Sequence, residues 1–170
     1  LCLLHGGYVS DARYEIAREE TEAGVTFTMT LATLATPYRK QFAPPDAESL
    51  ERYRRMVPGE FCLGVDEGEA LVGVSLAEAQ EWNRSLWVWE FHVAERRKGQ
   101  GIGTVLMEDL ARRARAAGLR IMICETQNTN VPAIRFYRRM GFTVEGIDLS
   151  YYTNDDWPDG EIAVFMKRKL

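Results

Sequence analysis

The stretch Lys98-Gly99-Gln100-Gly101-Ile102-Gly103-Thr104 carries the most directly readable chemistry in this chain. It follows a strand-like run, Leu86 to Val93, and opens a helix-like run, Ile102 to Ala117. A glycine-rich turn at a helix start leaves backbone N–H groups without intrahelical partners, and the helix dipole adds partial positive charge there. Together they suit a phosphate. The spacing is not that of a dinucleotide fingerprint, and no acidic residue follows where a ribose would need it. It is not a Walker loop either, because Gly-Lys-Ser/Thr is missing. A plain tight turn is the alternative, since glycine permits one. Three alternating glycines directly after Arg96, Arg97 and Lys98 favour the phosphate reading.

These residues need a fold to hold them. A chain of 170 residues is the size of one domain with a real core, so a single domain over residues 1–170 is expected, with an irregular tail over residues 1–12. Composition is that of an ordinary soluble globular protein. A net charge of −4 argues against nucleic acid as the main partner. No apolar run approaches the roughly 20 residues a membrane helix needs, and Leu1 to Leu4 is too short for a secretory core. The chain begins at Leu1 rather than Met, which leaves an upstream or a processed natural start open. Cys2, Cys62 and Cys124 are scattered and odd in number, no metal-ligand spacing is present, and reduced thiols in a cytoplasmic protein are the expectation.

Val25 to Leu31 alternates apolar residues with threonine, the pattern of a strand with one buried face, and Thr36-Pro37 is expected to end it. Asp46 starts a helix over Ala47 to Met56, with an acidic first turn and a basic last turn, and Pro58-Gly59 stops it. Phe61 to Val65 and Ala70 to Ala77 read as a hairpin around Asp66-Glu67-Gly68. Period two then puts Trp87, Trp89, Phe91 and Val93 on one face of the next strand, with Leu86, Val88, Glu90 and His92 on the other. The helix from Ile102 shows Ile102, Val105, Leu106, Leu110 and Ala117 at helical spacing, and Gly118 suits its left-handed cap. Ile121 to Cys124 is a short apolar strand, with Cys124 read as packing. Asn130 caps a helix that runs to Met140 and is closed by Gly141. Strands around Thr143 to Tyr152 and Ile162 to Lys167 follow. The fold class is mixed α/β, antiparallel early, with a parallel pair around the glycine-rich helix.

Two segments together, Val93…Lys98-Gly-Gln-Gly-Ile-Gly103 and Asn130-x-x-Ala133-x-x-Phe136-Tyr137-x-x-x-Gly141-Phe142, resemble the GNAT family of acetyl-CoA-dependent N-acetyltransferases. Within it, Trp82-Asn83-Arg84, Gly99 to Gly103, and Glu125-Thr126-Gln127 leading to Asn130 are similar to streptothricin acetyltransferases. Lys98 stands where the family pattern has Gln or Arg, and it lacks the planar fork of Arg. A shifted register would use Arg96, Gly99 and Gly101. The resemblance implies a central, mostly antiparallel twisted sheet flanked by helices, with a splayed parallel strand pair that admits the co-substrate.

It also implies roles. The acetyl-CoA pyrophosphate would lie on the N–H groups of Lys98, Gly99, Gln100, Gly101, Ile102, Gly103 and Thr104. The pantetheine arm would follow the backbone of Phe91, His92 and Val93, with Val93 N–H polarising the thioester. Asn130, Ala133 and Tyr137 would complete the cofactor contacts. Tyr137 would protonate the departing thiolate, and Phe136 would belong to the core. An alkylamine is protonated at neutral pH, with a lysine-like pKa near ~10.4, so a base is needed. Glu90 is the first candidate. His92 shares its face roughly 7 Å along the strand, with a water as relay; simple packing and ion pairing are the alternatives for both. For a cationic acceptor, Glu90, Asp148 and Tyr152 are the favoured contacts among Trp82, Trp87, Trp89, Tyr151, Asp155, Asp156 and Trp157. The expected partner is a small-molecule amine of the streptothricin type, met by a monomer or homodimer. A polyamine, an aminoglycoside, a protein amine, or non-catalytic acyl-CoA binding stay open as alternatives.

Overall fold

The computed structural model describes Leu4 and Gly6–Leu170; the expectation for Cys2 lies outside the described residues. The chain divides into two compact units. The first holds residues 42–124 and 167–170 together with Leu4 and Gly6. The second holds residues 7–41 and 125–166.

In the first unit, helix α1 (Ala47–Met56) starts where Asp46 accepts the N–H of Ser49 at 2.7 Å, which satisfies one of the donors a helix start leaves open. Its apolar side buries Tyr53 and Met56 against Val74 and Leu76. Strands β3 (Leu63–Glu67), β4 (Ala70–Gln80) and β5 (Ser85–Val93) form an antiparallel meander. Helix α2 (Ile102–Ala116) packs on β3, β4 and β5 through Leu106, Met107, Leu110, Ala111 and Ala114. Val105, read above as part of that apolar stripe, is 68% exposed instead. The helix approaches the sheet closely because β4 has a glycine under it: a Cβ at Gly73 would meet Ile102 at 3.0 Å.

One irregularity in β5 overturns the two-face assignment. Leu76 pairs with Glu90 but Ala77 pairs with Val88, so Trp89 is an extra residue on β5. A bulge of this kind breaks the alternation. Glu90 and His92 therefore lie on the face of Leu76 and Val74, which is the α1 face, opposite to Leu86 and Val88. Beyond β5, strand β6 (Ile121–Gln127) runs parallel from Ser85↔Ile121 to Val88↔Cys124. The ladder ends at that rung, yet both strands continue, β5 to Val93 and β6 to Gln127. Cys124 is buried, as expected of a packing residue.

The second unit is built around a long antiparallel pair, β1 (Gly7–Thr21) and β2 (Gly24–Gln41). Three expectations change here. The apolar residues Val25, Phe27 and Leu31, read as the buried face of a strand, are exposed. Gly7 to Ala12 is strand rather than irregular tail, and Tyr8, Ser10, Ala12, Tyr14 and Ile16 alternate inward. Nor does Thr36-Pro37 end β2. The register jumps between Ser10↔Tyr38 and Ala12↔Thr33, so Pro37, which has no N–H, sits in an irregularity and the strand resumes. Helix α3 (Val131–Arg139) packs on β1. The strand order in this unit is β6, β8 (Ala163–Lys169), β7 (Thr143–Asp148).

Asn128 ties these pieces together and is fully buried. Its amide donates to the Tyr14 carbonyl at 2.8 Å and accepts from Ile162 N–H at 2.9 Å. Its own backbone N–H and C=O bond Ile162 and Tyr14 as well. Asn128→Ala leaves a buried carbonyl and a buried N–H without partners. The expected loss is about 2–4 kcal/mol, from the cost of orphaning such groups, read as a lowered urea midpoint; an unchanged midpoint would contradict this bonding.

Candidate active site

The glycine-rich turn lies in the first unit, after a short 3-10 turn at Glu95–Arg97. Gly99 and Gly101 have φ of +76° and +86°, values that only glycine adopts readily. A Cβ at either position would point into open space, so backbone geometry and not crowding selects glycine. Helix α2 has no side-chain cap at Gly101, and its first helical bond runs from Val105 N–H to Gly101 at 3.0 Å. The N–H groups of Ile102, Gly103 and Thr104 therefore precede the ladder. Lys98 N–H is turned back onto the Glu95 carbonyl at 3.2 Å, which takes it out of the expected row. The basic cluster is also partly neutralised. Arg97 pairs with Glu67 and donates to Gln100, while Lys98 meets Glu95 at 2.5 Å.

Glu90 and His92 are in direct contact, without the expected relay. His92 Nε2 lies 2.5 Å from Glu90 Oε2, and with the carboxylate ionised the ring nitrogen must be the donor. The other oxygen of Glu90 accepts from the Tyr53 hydroxyl. Burial, then this bond, raises the Tyr53 pKa. The bulge at Trp89 turns Glu90 toward α1, which accounts for its bond to Tyr53. Phe42 stands edge-on to His92 at 6.4 Å. Trp87 and Trp89 are in contact at 5.4 Å, and the Arg52 guanidinium covers Trp89 at 4.3 Å. Phe91 and Val93 stay paired to β4, opposite Ser75 and Gly73.

In the second unit, Asn130 caps α3 by accepting Ala133 N–H at 3.3 Å, so that donor is already used. Tyr137 is buried at 8% exposure, against Phe136 and Phe142. Phe136, expected in the core, is half-buried. Asp148 accepts from Ser150 N–H at 3.0 Å in a local turn. Asp156 is buried and holds Tyr152 N–H and the Thr153 hydroxyl. Trp157 donates to the Ile16 carbonyl, whereas Trp82, in the first unit, is 84% exposed.

A polar cluster that sequence reasoning missed lies in the second unit. Glu161 accepts from the Tyr8 and Tyr38 hydroxyls at 3.1 Å each, from Thr129 at 3.0 Å, and from Lys40. Burial pushes its carboxyl up, but Lys40 and these hydroxyls outweigh that and hold it below the ordinary range. Glu125, two residues before the end of β6, accepts from the Tyr152 hydroxyl, which in turn accepts from Gln127 at 3.1 Å. The Lys40 ammonium lies over the Tyr152 ring at 5.9 Å. Burial pushes Glu125 up to about 7, against the lowering effects of Tyr152 and Lys40 and with Glu161 adding repulsion. The available signal was a carboxylate closing the apolar run Ile121 to Cys124. Tyr152 was among the residues expected to meet a cationic acceptor, whereas Lys40 and Glu161 carried no such signal.

The profile of the Acetyltransferase (GNAT) family matches residues 27–142, and the chain belongs to that family. Over 96 residues it is 38% identical to streptothricin acetyltransferase of Streptomyces lavendulae. That match covers 56% of this chain and 50% of the relative, so it spans half the relative's length. The crystal structure of nourseothricin acetyltransferase superposes with a TM-score of 0.76 at 30% identity, covering 98% of this chain and 88% of that one. A provisionally assigned streptothricin acetyltransferase of Bacillus anthracis, solved with acetyl coenzyme A, shares the fold at a TM-score of 0.75 and 18% identity, covering 98% and 90%. The fold is thus the mixed α/β acyltransferase fold, with a mostly antiparallel sheet flanked by helices. Among the described residues no helix is long and apolar enough to cross a membrane.

A carboxyl that binds its proton more tightly folded than unfolded weakens the fold as pH rises. An unfolded glutamate titrates near ~4.3 and folded Glu125 near about 7. Between those values the folded state holds the extra proton, so stability falls as pH climbs through this window. Glu125→Gln removes that decline. Its thermal midpoint is expected to gain on the wild type from pH 5 to pH 8 in calorimetry; a pH-independent difference would contradict the elevated carboxyl.

Proposed function

We propose that this protein is an acetyl-CoA-dependent N-acetyltransferase that acts on a primary amine of a small cationic molecule of the streptothricin type, so that its biological role is antibiotic resistance. The observation that carries this reading is membership of the acetyltransferase family together with likeness to nourseothricin acetyltransferase along nearly the whole chain. The glycine turn fits the co-substrate's pyrophosphate, because α2 has no side-chain cap of its own and both positive-φ glycines face open space.

Acetyl-CoA supplies the acetyl group as an activated thioester. In this reading Gly99 to Thr104 hold its phosphates by backbone N–H groups, with Asn130 and Ala133 at the start of α3 as further contacts. The backbone from Phe91 to Val93 orients the arm. Glu90, fixed by Tyr53 and coupled to His92, accepts a proton from the nitrogen. Tyr137 returns one to the leaving sulfur. Asp148 and Tyr152 are the proposed acceptor contacts of the second unit, beside Glu90 in the first. In this reading the transfer is direct, in a ternary complex as the family membership implies, and buried Cys124 packs the sheet.

Coenzyme A release, followed with a thiol-reactive dye, tests the reading against streptothricin, spermidine, an aminoglycoside and a lysine peptide. Release with streptothricin alone is expected; release only with another amine would replace the acceptor. Tyr137→Phe is expected to lower kcat by about 10²-fold, the scale of general acid catalysis, with acetyl-CoA affinity by calorimetry unchanged. Gly101→Val should do the reverse and weaken acetyl-CoA binding, since valine at φ +86° disturbs the turn that presents the N–H groups. Equal acetyl-CoA affinity in Gly101→Val and wild type would remove the turn from the site.

A further inference from the structure

Tyr152, read above as a contact for a cationic acceptor, already carries a cation of the chain's own. The Lys40 ammonium lies over its ring at 5.9 Å and is paired with the Glu161 carboxylate. We propose that Lys40 is a specificity-determining residue: its ammonium holds a place fitted to a primary amine, so that an acceptor's cationic group reaches Glu161 only against this internal competitor. The proposal rests on the acetyltransferase reading, with Tyr152 as an acceptor contact within it.

The surroundings are those of an ammonium site, and all of them belong to the second unit. Tyr8 and Lys40 stand directly opposite each other on β1 and β2, so their side chains emerge on one face. Tyr38, two residues before Lys40 on β2, shares that face. Glu161 precedes β8 and receives all three. Its Oε1 accepts from the Tyr8 and Tyr38 hydroxyls at 3.1 Å each and from Thr129 at 3.0 Å, which fills the capacity of one carboxylate oxygen. Its Oε2 meets Lys40, so a further cation must come to the oxygen that Lys40 holds. The Lys40 and Glu161 side chains are 26% and 21% exposed, so the pair is open to exchange with a solute and is not sealed in the interior. Aromatic rings complete the place: Tyr152 under the ammonium, and Tyr8 and Tyr38 with centroids 6.2 Å apart.

The energetics follow from charge. A second ammonium at Oε2 stands beside the first, and two like charges a few ångströms apart repel by enough to lower affinity roughly tenfold after screening. An uncharged side chain at position 40 removes that repulsion. It leaves the Glu161 carboxylate oriented by three hydroxyls and one oxygen open to the incoming cation.

The test measures KM for streptothricin in wild type, Lys40→Met and Lys40→Arg by coenzyme A release. Lys40 also lowers Glu125, which titrates near about 7, so the comparison is run at about pH 8.5, above that carboxyl. KM in Lys40→Met should fall about tenfold, the scale of one like charge removed, and the gain should shrink as salt is raised. Lys40→Arg keeps the charge and should show no gain. In Lys40→Met/Glu161→Gln the gain should also vanish, because no carboxylate is left to receive the cation. A merely structural pair gives another signature, a lower thermal midpoint with KM unchanged or raised. Should Lys40→Met not fold, Lys40→Gln, which still offers Glu161 a donor without the charge, takes its place. An unchanged or higher KM in the folded uncharged variant, or a gain that survives Glu161→Gln, would overturn the proposal. Should the wild type acetylate none of the amines above, the acetyltransferase reading fails separately, and calorimetric titration with streptothricin alone decides for Lys40. Tighter binding by Lys40→Met than by wild type, lost in the double variant, keeps Lys40 as the competitor; equal or weaker binding overturns it.

Discussion

Hydrogen bonding between β5 and β6 stops at Val88 and Cys124 while both strands continue, and much of the structure answers that one interruption. Backbone groups leaving a ladder must find other partners or face a ligand or water. On β5 the next residue, Trp89, is a bulge, and Glu90 to Val93 stay bonded to β4 along one edge. The continuation of β6 leads to Asn128, where a buried side-chain amide mimics a strand for both Tyr14 and Ile162. Two carboxylates stand within two positions of the rung along their strands: Glu125 directly after Cys124, and Glu90 two after Val88.

Two glutamates in the second unit show how neighbours decide charge. Glu161 gathers an ammonium and three hydroxyl donors, so its ionised form is favoured despite burial. Glu125 has one hydroxyl donor and the field of Glu161 against it, and burial prevails. Burial opposes ionisation in both, and Glu125 is the more deeply buried of the two as well as the one with fewer donors. The same rule applies to the tyrosines. Burial raises Tyr8 and Tyr152, and the carboxylates they face raise them further, so these phenols act as donors that stay protonated.

Local signals were legible where local physics sets the outcome. Asp46 before α1, the glycines before α2 and Asn130 before α3 each act within a few residues, and each does what its type and position imply. The bulge at Trp89 left no mark in the sequence, because it depends on the register with β4. It moved Glu90 and His92 together to the other face, where Glu90 meets Tyr53 of α1. Strand β1 did carry a period-two pattern from Tyr8 to Ile16, blurred by Ser10 and Asp11. Proline misled in β2, since a register jump tolerates what a regular ladder would not. The Glu161 cluster joins Tyr8, Tyr38, Lys40 and Thr129 from separate stretches of chain, and only the fold brings those together.

Helix α2 begins without a side chain to close its first turn, a closure worth about 0.5–2 kcal/mol in ordinary helices. Whatever anion settles there supplies part of what the sequence omits, so occupancy and local order become one equilibrium. On the function proposed above, phosphate and sulfate would then compete with the acetyl-CoA pyrophosphate at this turn, and purification in such salts would firm up the helix start while masking it.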